Sequence, residues 1–171
     1  MEDRKIQETQ LTALDPERYP VLDLLPFPVH WRMKDGQTPE VLDLLRKKWL
    51  VLTPEEWVRQ HVLHWLLYQT SYPAGLISVE RRISEQSFRT DVLAYSRSGK
   101  PALLVECKES RVPVTKETLM QCMKYNQHLG ARFLWVTNGK NHLVLEVNDR
   151  GEAVKQHAGL PPFEEIIGER A

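Results

Sequence analysis

The stretch KPALLVECK, residues 100–108, constrains the fold more than any other part of the chain. Leu103, Leu104 and Val105 run without a break into Glu106, Cys107 and Lys108. A strand with one wet face alternates apolar and polar residues, so a continuous apolar run needs cover on both faces. The run Val92, Leu93, Ala94 after Asp91 makes the same demand. Two such strands belong inside a sheet with layers above and below it, and the chain has the helices to supply them. Thr53-Pro54-Glu55-Glu56 opens one: Thr53 as N-cap, Pro54 in the first turn, Glu56 completing a capping box, with an expected end near Gln69. TKETLMQCMKYNQHLG, 115–130, is the second, with Gly130 as its stop. Strands are expected at 75–83, 89–99, 100–108, 131–139 (with Asn138-Gly139 as a turn) and 142–147. Helix, three strands, helix, two strands predicts a mixed α/β sheet flanked by helices.

The flanks are less regular. Residues 1–20 read as a short helix or loose arm, 24–36 as strand-like pieces broken by Pro26 and Pro28, and 38–52 as helix or strand. The expected division is an N-terminal arm over 1–39, a core over 40–150 and a tail over 151–171, containing Pro161-Pro162, that packs loosely on or near the core. Lys and Arg balance Asp and Glu at 23 each, so net charge neither announces nor excludes nucleic acid, although Arg46-Lys47-Lys48 and Arg81-Arg82 are local basic patches. No apolar run approaches the ~18 residues of a membrane span. MEDRKIQETQ lacks a signal-peptide core, and two cysteines make no disulfide framework, so a cytoplasmic setting is expected.

Strand alternation puts Glu106 and Lys108 on the face of Leu104, and Cys107 on the other face, as core. If Ser98-Gly99 form a two-residue turn, Arg97 lies opposite Lys100, Ala94 opposite Leu103 and Asp91 opposite Glu106. Like charges so placed cost stability, and something positive must compensate. A solvated hairpin edge is the plainer reading, but the apolar residues beside both acids argue for burial. A half-buried acid pair beside a lysine suits a divalent cation. Mg²⁺ takes oxygen ligands and needs only one or two protein carboxylates when a phosphate supplies others.

At this point the sequence resembles a known family. Asp91, then Glu106-x-Lys108, then Gln121-x-x-x-Tyr125 on the following helix, resembles the PD-(D/E)XK nuclease core of the RecB-like branch. RKKWLVLTPEEWVRQHVLHWLL with RTDVLAYSRSGKPALLVECKE and LWVTNG is similar to the N-terminal nuclease domain of type I restriction enzyme R subunits, over about residues 40–147, and to small stand-alone proteins carrying that domain. The resemblance implies a restriction-endonuclease-like sheet and Mg²⁺- or Mn²⁺-dependent endonuclease chemistry on DNA. Asp91 and Glu106 would hold the metal, assisted by the backbone carbonyl of Cys107 or of Val105. Lys108 would position or help deprotonate the attacking water. Gln121 and Tyr125, one helical turn apart, would face the DNA backbone, although Tyr125 also reads as a core aromatic. Many such nucleases add a glutamate from the first core helix. Glu55 falls within the arc of Val58, Val62, Trp65 and Leu66 and is preferred to Glu56, with Glu80 as an outside candidate. Arg59 either contacts phosphate or pairs with Glu55.

The chain departs from the restriction subunits in having no Walker A glycine loop and no motor region, so neither ATP use nor translocation is expected. A homodimer would supply one cut per strand. Two alternatives stay open: an accessory or nucleic-acid-binding protein that keeps the fold without turnover, and a nuclease acting on branched DNA or RNA.

Overall fold

The computed structural model describes residues 14–82 and 89–168. Residues 1–13 of the expected N-terminal arm, the end of the predicted 75–83 strand and the last three residues lie outside them. Three strands, β1 (Trp31–Lys34), β2 (Thr38–Leu42) and β3 (Trp49–Val51), form a small antiparallel sheet in that order. The stretch 38–52, ambiguous in sequence, thus resolves into two strands joined by a tight loop. The principal sheet has the order β4-β5-β6-β7-β8-β9: β4 (Ile77–Arg82), β5 (Arg89–Tyr95), β6 (Pro101–Cys107), β7 (Phe133–Thr137), β8 (His142–Val147) and β9 (Ala153–His157). Its pairs are antiparallel except β6 with β7. That parallel step needs a crossover, and α2 (Lys116–Asn126) supplies it.

Helix α1 (Pro54–His64) covers one face. Val58, Val62, Leu63 and Leu66 pack there with Val92, Ala94, Leu103, Val105, Cys107, Phe133 and Trp135. Helix α2 covers the other, with Cys122, Leu119 and Met123 against Leu93, Leu104, Leu134 and Val136. The alternation of β6 is therefore divided between two cores, as its unbroken apolar run requires, and each fully buried Leu or Val contributes roughly 1.5–3 kcal/mol.

Several local expectations change. The α-helix stops at His64, and Trp65–Gln69 continues as a π-helical turn. Thr53 does cap α1, accepting from the Glu56 amide at 3.0 Å, but the reciprocal half of the capping box is not made, because the Glu56 carboxylate bonds Arg59 and Gln60. The β5–β6 turn is not the two-residue one expected. The Gly99 amide donates to Ser96 O and the Ser96 amide to Lys100 O, leaving a three-residue loop with Gly99 at φ +80°. An irregularity at Ala94/Tyr95 then restores the ladder to Ala94↔Leu103 and Val92↔Val105, the register derived from the wrong turn. The tail is not loose: β9 extends the sheet, and α3 (Phe163–Ile167) puts Ile166 and Ile167 into the core and Phe163 against Tyr72. At the N-terminal end, Tyr19 donates to Leu52 O, Trp57 donates to Pro20 O, and the Asp23 amide donates to Gly139 O at 2.6 Å. Residues 14–29 thereby pack over α1, and eight consecutive residues, Glu56 to Leu63, are buried. No helix among the described residues is long and apolar enough to cross a membrane.

Candidate active site

One step beyond the Val92↔Val105 pair come Asp91 and Glu106, on neighbouring central strands. Each has a cation beside it. Arg59 Nη2 donates to Asp91 Oδ1 at 2.6 Å, and Lys108 Nζ donates to Glu106 Oε1 at 2.8 Å. The second Asp91 oxygen accepts the Cys107 amide at 2.7 Å, which ties the start of β5 to the end of β6.

Arg59 is the hub. Besides Asp91 it pairs with Glu55 at 3.1 Å, with Glu56, and with Glu80 at 3.6 Å. Its side chain is only 6% exposed. A second cluster joins through Glu80 and Gln60. Arg46 bridges Asp43 at 2.8 Å and Glu80 at 2.5 Å, while Gln60 Nε2 donates to both Asp43 and Glu56 at 2.8 Å. Asp43, Glu55, Glu56, Glu80, Asp91 and Glu106 are thus six carboxylates in bonded contact with three cations, Arg46, Arg59 and Lys108, while the charge of Arg89 reaches Glu80 from further off. The surplus is negative.

The titration shifts report that surplus. Burial, then the charge of Asp91, raises Glu106 above the usual glutamate range, against the opposing Lys108. Burial and Asp91 likewise raise Glu55. For Lys108 burial acts downward, but the bond to Glu106 and the charges of Glu106, Asp91 and Glu55 outweigh it, so the amine stays an ammonium well beyond neutral pH. Burial also acts downward on Arg59, and Asp91 and Glu56 overcome it. Glu80 goes the other way: Arg46 and Arg59 outweigh its burial and lower it.

Glu80 is conformationally unusual. The ladder runs Val79↔Val92 and Arg81↔Thr90, which sets Glu80 across from Asp91, and its φ is +50° in the middle of β4. A non-glycine residue in that region costs on the order of 1–2 kcal/mol. The pairs with Arg46 and Arg59 hold the Glu80 side chain beside the acids despite that cost.

The sequence-predicted residues are distributed as follows. Asp91, Glu106, Lys108, Glu55 and Arg59 come together. The helical-wheel preference for Glu55 over Glu56 misjudged their surroundings: the Glu55 side chain is 45% exposed and that of Glu56 only 7%. An amphipathic arc has little meaning over Glu56–Leu63, where every residue of the helix is buried. Gln121 and Tyr125 lie on α2 and bond each other, Gln121 Nε2 donating to Tyr125 Oη at 2.6 Å. Their neighbour Cys122 is buried, its thiol raised first by burial and then by the charges of Glu106 and Asp91. Sequence reasoning missed Asp43 and Gln60 and read Arg46 only as part of a basic patch, whereas it pairs with Asp43 and Glu80; the Asp43-x-x-Arg46 spacing was the available signal. It also missed a separate group. Glu146, His157 and Glu165 present ligand atoms all within 4.8 Å of one another, a spacing that could hold a metal ion. There Glu146 already pairs with Arg132 at 2.7 Å and His157 at 3.2 Å. The side chains at Asp91, Glu106 and Glu55 do not converge that closely.

An open, mixed six-stranded sheet with helices on both faces and acids at the ends of its central strands is a restriction-endonuclease-like α/β fold. Residues 54–161 match the family described as type I restriction enzyme R protein N terminus (HSDR_N), and the chain belongs to that family. No curated protein matches the chain.

Proposed function

We propose that the protein is a metal-dependent DNA endonuclease of the PD-(D/E)XK type, RecB-like branch, with the core over 40–150. The observation that supports this best is the junction of Asp91, Glu106 and Lys108 at the end of the central strands β5 and β6, within a carboxylate-rich cluster. Asp91, Glu106 and the Cys107 carbonyl would hold Mg²⁺ or Mn²⁺. An all-oxygen donor set and surplus negative charge suit such a hard cation, and the raised Glu106 is a carboxylate short of positive charge. When bound, the metal would stabilise negative charge developing on the phosphate.

The protein's own groups divide the remaining work. Lys108 is held by Glu106 as an ammonium, so it acts by stabilising growing negative charge and orienting the water rather than by removing a proton. Glu55, half-exposed and raised, is the helix-borne carboxylate facing the reacting centre. The Gln121–Tyr125 pair is a preformed polar contact for the DNA backbone. Arg59 assembles the acids, and it would reach a phosphate only by giving up one of the carboxylates it pairs with. Two copies acting together would cut both strands.

One observation favours a second reading. Arg59 already neutralises Asp91 at 2.6 Å, as it would in a binding protein that keeps the fold without turnover. Labelled duplex, branched and single-stranded DNA and RNA, incubated with Mg²⁺ or Mn²⁺, decide between them. Cleavage by wild type that is lost in Lys108→Ala and Glu106→Ala supports the nuclease; binding without cleavage of any substrate supports the alternative.

A further inference from the structure

We propose that the outer face of the β1-β2-β3 sheet is a docking surface for a single strand of DNA leading to or from the candidate active site. The ligand class rests on the nuclease reading; the surface itself rests on separate observations. This sheet precedes the residues that match the family, 54–161.

Pairing fixes which side chains share the face. Arg32 lies across from Glu40 and Glu40 across from Val51, while Leu42 lies across from Trp49. Arg32, Lys34, Glu40, Trp49 and Val51 therefore point the same way. Arg32 is 50% exposed and Lys34 57%, and Trp49 and Val51 are exposed too. The guanidinium of Arg32 lies over the Trp49 ring at 4.2 Å, and Glu40 fixes it from below at 2.7 Å. Lys47 and Lys48, both exposed, sit at the end of the same sheet. Four cations, Arg32, Lys34, Lys47 and Lys48, stand against two carboxylates, Glu40 and Asp35, in a chain of zero net charge. A fixed indole among unburied cations is what a single strand needs: a stacking plane for a base and charges for the backbone on either side of it.

The loop between β2 and β3 joins this face to the acids. Asp43 accepts the Leu45 and Arg46 amides at 3.0 and 2.5 Å, and its own amide donates to Lys48 O at 2.9 Å. Its carboxylate and Arg46 are themselves members of the acidic network, which reaches Asp91 through Glu80 and Arg59. The cations Lys47 and Lys48 are thus held at a fixed distance from the site. They would guide a polyanion towards a site whose own charge repels one.

The test is fluorescence anisotropy with a labelled single-stranded oligonucleotide, in EDTA so that nothing is cut, over a series of salt concentrations. Trp49→Ala is expected to weaken binding about tenfold or more and Trp49→Phe to restore most of it. Lys47→Ala with Lys48→Ala is expected to reduce the slope of log affinity against log salt by roughly 0.7 per lost phosphate contact. Thermal melts confirm that each variant is folded. Unchanged affinity and slope in folded variants, or no binding of the strand by wild type, overturns the proposal. So does a Trp49-dependent dimer in light scattering, since the face would then belong to a second copy. Cleavage that survives unchanged in the Trp49 variant removes this surface and leaves the nuclease reading standing; Trp49-dependent binding without cleavage of any substrate does the reverse.

Discussion

Replacing Arg59 with Ala tests the description of the site as a buried ion cluster. Arg59 is 6% exposed and its partners Glu56 and Asp91 are 7% and 14% exposed. Removing one member of such a buried arrangement leaves uncompensated charge and costs about 3–5 kcal/mol. For a domain stable by about 5–15 kcal/mol that is a large share. With a urea m-value near 2 kcal/mol/M, the unfolding midpoint should fall by roughly 1.5–2.5 M. The loss should also depend on pH. Glu55 is already raised by burial and by Asp91, and Arg59 pulls it down; without the guanidinium it rises further. A carboxylate whose folded pKa lies above its unfolded one destabilises the fold as pH rises through that interval, because the unfolded chain then holds fewer protons. The deficit of the variant should therefore be greatest near pH 7 and shrink towards pH 4–5. Urea melts of wild type and Arg59→Ala at both pH values, in EDTA, measure this. A loss below about 1 kcal/mol with no pH dependence would mean that Arg59 is an ordinary solvated side chain, and the cluster argument would fail.

Three further outcomes are expected. Glu80→Gly should be more stable than Glu80→Ala by roughly 1 kcal/mol in chemical denaturation, the reverse of ordinary strand preference, since both lose the carboxylate and only glycine accepts φ +50° at little cost. Gly139→Ala should lower the melting temperature, by about 2 kcal/mol or more in stability: φ is +81°, and a Cβ there would lie 2.8 Å from the Leu22 side chain. Mg²⁺ affinity in calorimetric titration should decline on acidification while the pH is still above the ordinary glutamate range, because raised Glu106 must lose its proton to bind, and Glu106→Gln should remove that pH dependence.

The sheet was legible because its central strands carry their burial in their composition: an unbroken run such as Leu103 to Val105 has few other places to go. The register was reached through a wrong turn. A three-residue loop and a bulge each shift pairing by one residue, and here they cancel. What the sequence concealed has a common physical cause. Asp43, Arg46 and Gln60 act in a network whose members come from separate elements, and no local period records such meetings. The wheel placed Glu55 inside and Glu56 outside because it assumed one wet face on α1; with residues 14–29 laid over the helix, Glu56 is the more buried. Tail residues such as Ile166 betray themselves only once the sheet they cover exists.

The strap over α1 has a consequence for the timing of folding. Asp23 is bonded to Gly139, about 116 residues further along. On a ribosome adding about 5–20 residues per second, the early segment waits roughly 6–23 s for that anchor to be made. Leu22, which is buried and lies beside Gly139, spends that interval without its final cover. The nascent chain therefore presents an apolar N-terminal segment to the cell until the β7–β8 turn emerges, and that segment is where a chaperone would find its longest-lived hold.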